Sequence, residues 1–229
     1  MCSWYFSKVK QSKLFVVGDV HGCLKTFQAL LDEHWDPKKE ILVQVGDLIN
    51  RGRYSVDTVL FCKELETKYP GRVAFVKGNH EWDMLQYLLG SPRLKWLRGG
   101  GSKILRDLTK KPENYGPFLT WIKDLPLVWE NDTVHVSHAG WSLSSPNPLE
   151  EDNSLSVLNN RRPIRNIDKT QIIGHTPQKN GKPKFDKKAN CWTIDTGAYL
   201  GIGLTGVKVS KKGKVKEICF IPTIKKDLP

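Results

Sequence analysis

Residues 14–22 read LFVVGDVHG, an apolar run of four, a glycine, then a carboxylate and an imidazole on alternate residues before a second glycine. Leu14–Val17 is too short for a helix and, bounded by glycine, predicts a buried strand. Asp19 and His21 then leave the strand's carboxyl end together, and the flanking glycines let the backbone turn tightly around whatever they hold. Such a pair suits a metal ion. The pentapeptide alone is also compatible with an ordinary turn that carries a histidine.

The pattern recurs along the chain. Ile41–Val45 predicts a second strand running into GDLINRG at 46–52, and Val73–Val76 a third running into GNHE at 78–81. Helical spacing at Leu24–Leu31, Ser55–Tyr69 and Glu81–Leu89 separates them, the rhythm of an α/β fold. From Leu125 the pattern changes to strands joined by loops: Leu127–Trp129, Thr133–Ser137, Gln171–Ile173, Cys191–Ile194, Leu204–Val209 and Val215–Phe220. The last two flank a hairpin at Lys211-Lys212-Gly213, and Trp141–Asn160 reads as a long irregular loop. The coarse expectation is two sheets face to face with helices outside.

No linker divides the 229 residues, so one domain is expected, with 1–12 as an N-terminal extension and 222–229 as a C-terminal tail. The formal charge of +12 favours anionic partners through long-range steering. Its densest runs, 179–188 and 208–216, read more simply as solvated faces than as a nucleic-acid site, since stacking aromatics are sparse among the lysines. Five widely spaced cysteines with no CxxC pair indicate free thiols in a reducing compartment. The N-terminus lacks the apolar core of a signal peptide, and no run of 18 apolar residues exists. These features predict a cytoplasmic monomer with no membrane partner.

Open α/β sheets place their sites outside the carboxyl ends of strands. Asp19, His21, Asp47, Asn79, His138 and His175 all fall at such ends. Asn79 by itself is a common turn former and His138 an ordinary strand-end histidine. Together they form a set of hard-to-borderline oxygen and nitrogen ligands without thiolate. That set suits a pair of Mn, Fe or Zn ions better than a structural zinc. A bridging aspartate would hold two cations about 3.5–4 Å apart, the spacing of two-metal phosphoester chemistry. Arg51, in the same loop as Asp47, supplies a guanidinium suited to bidentate contact with phosphate oxygens.

GDVHG, GDLINRG, GNHE, SHAG and GHTP, in this order, resemble the signature of the PPP-type metallophosphoesterases. KWLRGGG at 95–101, NNRRPI at 159–164 and TIDTGAYLG at 193–201 make the chain especially similar to the compact bacterial and bacteriophage lambda type of serine/threonine protein phosphatase. The resemblance spans roughly residues 14–209 and implies a four-layer α/β/β/α sandwich. It implies Asp19, His21 and Asp47 on one metal, and Asp47, Asn79, His138 and His175 on the other, with manganese the foremost cation. It adds Arg161 as the second phosphate-holding arginine, with Arg162 as the competing choice. It also implies His80 as the general acid that protonates the departing alkoxide. Asn79 and Tyr199 complete the expected substrate contacts. The expected reaction is in-line attack, by a hydroxide held between the cations, on phosphoserine or phosphothreonine of phosphorylated proteins or peptides, extending to phosphotyrosine and aryl phosphates. Symmetrical dinucleoside tetraphosphate hydrolysis is the second reading, and a weakly active phospho-ligand or nucleic-acid binding module the third.

One residue departs from the family pattern. Where many of these phosphatases have GDxxDRG, with an aspartate that partners the acid histidine, this chain has Asn50. An amide orients an imidazole by a hydrogen bond but supplies no opposing charge. His80 is therefore expected to lose its proton at lower pH than in relatives with the aspartate, and Asn50→Asp to move the basic limb of the pH profile upward. Trp82 and Trp141, adjoining GNHE and SHAG, are candidate walls of the cleft. His135 reads as a mid-strand side chain and His34 as a loop residue.

Overall fold

The computed structural model describes residues 12–229; Cys2 and all but the last residue of the expected N-terminal extension lie outside the described residues. Strand β1 (Lys13–Val17) pairs in parallel with β2 (Glu40–Gln44), which pairs in parallel with β3 (Val73–Phe75). On its other side β1 pairs antiparallel with β9 (Gly203–Val209), whose hairpin partner β10 (Val215–Pro222) closes the first sheet in the order β10-β9-β1-β2-β3. The second sheet has the order β4-β5-β6-β8-β7, built from Val128–Glu130, Val134–Ser137, Thr170–Ile173, Cys191–Thr193 and Lys184–Asp186 as β4, β5, β6, β8 and β7. Its three inner strands, β5, β6 and β8, are parallel.

The period of two explains why β1 is apolar from Leu14 to Val17. Leu14 and Val16 pack into a core shared with Val43, Val136, Ile172 and Val207, between the sheets. Phe15 and Val17 point the other way, toward the helices. A strand buried on both faces has no polar side to alternate. Gly206 of β9 makes room for Phe15, since a Cβ there would lie 2.4 Å from the Phe15 ring.

Helices α1 (Leu24–His34), α2 (Ser55–Lys68), α3 (Asn79–Leu88), α4 (Ser102–Lys110) and α5 (Tyr115–Asp124) contribute Phe27, Val59, Met84, Ile104 and Phe118 to that outer core of the first sheet. The expected pair of face-to-face mixed sheets is found, with these helices outside the first. The free face of the second sheet is covered by the irregular chain after β5: Gln171 accepts the Trp141 N–H and donates to the Arg165 carbonyl, and Ile164 packs on Ile173 and Cys191.

His34 is the last residue of α1 rather than part of a loop, because the helix runs one turn beyond Leu31. Strand β7 lies inside the basic run 179–188 and keeps every residue exposed, in keeping with a solvated face. The closing residues are not a free tail: Asp227 is fully buried, and its carboxylate accepts the backbone N–H groups of Lys25 and Thr26 at 2.9 and 2.7 Å. Cys23, at the N-cap of α1, offers no side-chain cap, so a carboxylate 200 residues away meets the orphan donors and the positive end of the helix dipole. The four described cysteines, Cys23, Cys62, Cys191 and Cys219, are buried and form no disulfide. Among the described residues no helix is long and apolar enough to cross a membrane.

Candidate metal centre

The carboxyl ends of the two sets of parallel strands converge. Asp47, after β2, lies at the middle: its Oδ2 is 3.4 Å from His21 Nε2, after β1, and 3.3 Å from His138 Nε2, after β5. Asn79 Oδ1, at the start of α3, lies 3.0 Å from both His138 Nε2 and His175 Nδ1, and those two nitrogens are 3.1 Å apart. Asp47 thus belongs to two groups of ligand atoms within 4.8 Å, one with His21 and His80, the other with His138 and His175.

The protons in this cluster do not suffice for its lone pairs. His21 Nδ1 and His138 Nδ1 face the carbonyls of Ile49 and Val45 at 2.9 and 3.0 Å. A carbonyl only accepts, so each Nδ1 carries the hydrogen and each Nε2 is turned inward, bare in the neutral ring. Burial keeps His21 and His175 neutral, well below the ordinary imidazole range. His138 alone is raised, burial opposing its charge and the Asp47 carboxylate overcoming that opposition. Oxygen and nitrogen lone pairs thus converge at Asp47, Asn79 and the inward ring nitrogens. Divalent cations fit this donor set, with the backbone carbonyls fixing the ring tautomers from outside.

The ligands stand on strained backbone. His21, Asp47 and His175 have φ of 46°, 55° and 68°, a region costly for residues with a Cβ and stored chiefly at functional sites. A single side chain holds the second loop in this shape. Glu81, fully buried in α3, accepts the N–H groups of Asp47 and Gly78 at Oε2 (2.9 and 2.8 Å) and those of Leu48 and Ile49 at Oε1 (2.9 and 3.1 Å). Burial and the Asp47 charge push its pKa up to about 7, against the hydrogen bonds from Gly78 and Ile49. Gly78 is required beneath it, since a Cβ would sit 2.2 Å from both Asp47 N and Asp47 Oδ1.

Asp19 accepts the His175 N–H at 3.0 Å, so it ties the two sheets together, but it stands outside the two tight groups. Its pKa is raised well above the carboxylate range by burial and by the charges of Asp195 and Asp47. Asp195, after β8, is a site residue that sequence reasoning passed over. It is buried, pushed up to about 6 by that burial and the Asp47 charge, and its Oδ2 has no hydrogen-bond partner. Its place just after a predicted strand was the available signal. Three buried carboxylates thus share the strand ends, a charge balance that calls for cations.

Arg51 and His80 are brought together: Arg51 Nη2 donates to His80 Nε2 at 3.1 Å, and the guanidinium lies 4.0 Å over the Tyr199 ring. Tyr199 also meets His21 edge-on at 4.8 Å, so it braces both the arginine and a ligand. Burial and the Arg51 charge hold His80 down at about 4, against the pull of Asp47. Burial and Arg51 rather than residue 50 account for that value, and Asn50 makes no hydrogen bond to His80. The Asn50 amide instead donates to the carbonyls of Trp96 and Gly99 at 3.2 and 3.1 Å, and Arg51 N donates to Gly99 O at 3.0 Å. Gly100, with φ of 114°, lets this turn approach, as a Cβ there would lie 2.7 Å from Arg51 N. The expected gain from Asn50→Asp is therefore corrected. A carboxylate here has no N–H to give and would face two carbonyl oxygens in a buried site. Asn50→Asp is expected to cost about 2–4 kcal/mol of stability, read as a lowered urea midpoint, with no recovery of activity at high pH.

Arg161 Nη1 donates to Thr176 Oγ1 at 3.1 Å, and its charge helps depress His175. Of the two neighbouring arginines, it is the one whose charge reaches His175. The tryptophans are occupied elsewhere: Trp82 is buried with Arg93 4.3 Å over its ring, and Trp141 meets His135 edge-on at 5.7 Å. His135 is buried in mid-strand and paired with Glu130 at 3.2 Å.

The family model described as calcineurin-like phosphoesterase matches residues 12–205. A serine/threonine-protein phosphatase 1 of Salmonella typhimurium is 30% identical over 208 residues, covering 86% of this chain and 91% of that protein. A symmetrical bis(5'-nucleosyl)-tetraphosphatase of Nitrosococcus oceani is 31% identical over 130 residues, 56% of this chain and 43% of that protein. In fold, a serine/threonine phosphatase from Saccharomyces cerevisiae superposes with a TM-score of 0.61 at 16% identity, covering 97% of this chain and 82% of that one.

Proposed function

Because the chain belongs to the calcineurin-like phosphoesterase family, we propose that it is a metal-dependent phosphomonoesterase that hydrolyses phosphoserine and phosphothreonine in proteins. The observation that carries this reading is coverage. The similarity to the Salmonella protein phosphatase extends over 91% of that protein, whereas the dinucleotide hydrolase is matched over 43% of its length.

Asp19, His21, Asp47, Asn79, His138 and His175 would hold two divalent cations, manganese foremost, with Asp47 shared between them. Bound there, the cations supply Lewis acidity and lower the pKa of water toward neutrality. The chain's own residues do the rest. Arg51, braced by Tyr199, and Arg161, braced by Thr176, present two guanidinium forks to the phosphate oxygens. His80 begins as an acceptor for Arg51 Nη2. A phosphate dianion that takes this N–H and offsets the arginine's charge removes one of the influences that keep the imidazole neutral, and His80 can then carry a proton to the leaving alkoxide.

The test is hydrolysis of a phosphoserine peptide and of diadenosine tetraphosphate side by side, with manganese restored after chelation. The expected result is a higher kcat/KM for the peptide, dependent on added metal. Preference for the dinucleotide would overturn the proposal and move the protein to nucleotide hydrolysis.

A further inference from the structure

A groove of about 360 Å³ opens from the metal centre at His175 and Arg161 and runs across the free face of the second sheet. Register explains its floor. Ile173, Cys191 and Thr193 share one face of β6 and β8, and the antiparallel pairing of Lys184 with Thr193 and of Asp186 with Cys191 puts both β7 residues on that face. The chain at 160–164 walls the opposite side. There Asn160, only 3% exposed, accepts the Arg162 N–H at 3.0 Å and donates to the Arg162 carbonyl at 3.1 Å. A buried amide thus fixes the backbone from which Arg162 reaches the groove.

Charge distinguishes this groove. Arg161, Arg162 and Lys184 line it, and among the described residues none of the three has a carboxylate within ion-pair distance. The one acid present, Asp186, spends its Oδ1 on the N–H groups of Lys188 and Ala189. No phenylalanine, tyrosine or tryptophan lines the groove, so away from His175 it offers a nucleobase no ring to stack on, whereas an extended chain needs only room and charge.

Resting on the phosphoprotein reading, we propose that this groove is an anion subsite that binds a second acidic or phosphorylated residue of the same substrate segment. Arg162 and Lys184 are its specificity-determining residues. Strand β7 stands two strands from β6, about 10 Å away at the usual strand spacing. An extended peptide covers that span in about three residues, so the second anion falls about three positions from the phosphoresidue being hydrolysed.

The test uses the full-length, manganese-loaded enzyme and a peptide series carrying one phosphoserine, with alanine, glutamate or a second phosphoserine three positions to either side. Arg162→Ala and Lys184→Ala are compared with the unaltered chain. The expected result is a KM about tenfold lower for an anionic peptide than for the neutral one, a difference that collapses in each variant with kcat little changed. The neutral peptide and 4-nitrophenyl phosphate should be turned over equally by all three proteins, which shows that the variants are folded. Equal KM for neutral and anionic peptides, or a preference that survives both substitutions, overturns the groove proposal and leaves the phosphatase reading intact. Hydrolysis of 4-nitrophenyl phosphate without turnover of any phosphopeptide overturns both.

Discussion

Asp47→Asn is expected to abolish metal-dependent hydrolysis while leaving the metal-free protein as stable as before, or more so. The carboxylate is the only group shared by both clusters of ligand atoms, so removing its charge weakens both cation positions at once. Loss of one preorganised charge at a reacting centre is commonly worth 10²–10³ in rate, and here the shared position should bring at least about 10³. The stability prediction follows from the lone pairs. Asp47 Oδ2 faces His21 Nε2 at 3.4 Å and His138 Nε2 at 3.3 Å, and the first of these nitrogens is bare. An amide of the same shape retains an oxygen for the His80 N–H, which Asp47 Oδ1 accepts at 3.0 Å, and turns its N–H₂ toward the imidazoles as a donor. It also removes a buried charge. The metal-free variant should therefore match or exceed the metal-free parent by about 1 kcal/mol. Manganese should raise the Tm of the parent by mass action and leave the variant's Tm unmoved. A metal-free variant that melts well below the parent would show Asp47 to be a structural residue, and a variant that still gains from manganese would remove it from the metal centre.

The strand ends were legible because their signal is local. In LFVVGDVHG, GDLINRG, GNHE, SHAG and GHTP each ligand lies within four residues of the apolar run that positions it, so period and punctuation suffice. What was illegible is held by partners remote in sequence. Asn50 looked like a partner for His80, but its donors are taken by carbonyls at Trp96 and Gly99, and a backbone carbonyl has no signature in a sequence. Asp227 looked like part of a tail because its two amide partners lie at Lys25 and Thr26. Helix α3 starts at Asn79 rather than Glu81, because Gly78, extended at the N-cap, already turns the chain and Glu81 caps it. Strand β7 has every residue exposed, so no alternation distinguishes it from the surrounding lysines. Its existence comes from hydrogen bonding to β8 alone. Asp195 obeys the same strand-end rule as the ligands and was readable by it.

Glu81→Gln is expected to be the most destabilising conservative substitution in the protein, although Glu81 is neither a ligand nor in reach of the phosphate. Each carboxylate oxygen takes two backbone N–H groups, from Asp47 and Gly78 at Oε2 and from Leu48 and Ile49 at Oε1. An amide has one acceptor oxygen. Whichever way it turns, two N–H groups lose their partner and meet an N–H₂ instead, in a site where Glu81 is fully buried. At about 1–3 kcal/mol for each buried N–H left without a partner, the cost is about 2–6 kcal/mol, much of the stability of an ordinary domain. The second effect follows from where those N–H groups sit. Asp47 holds a φ of 55°, and Asn50 and Arg51 each 71°, conformations that revert once nothing enforces them. The loop that carries both Asp47 and Arg51 should then relax. Manganese affinity should fall about 10–100-fold, as for other residues that orient ligands from behind. Urea melts of the metal-free protein read the first effect, and metal titration below the unfolding range reads the second. A comparably destabilising change far from this loop, Phe118→Ala in the helical core, should lower the urea midpoint and leave manganese affinity alone. If Glu81→Gln behaves the same way, the carboxylate supports the fold without shaping the metal centre. If metal affinity falls only in Glu81→Gln, the four hydrogen bonds are what hold the ligand loop in its strained, metal-ready form.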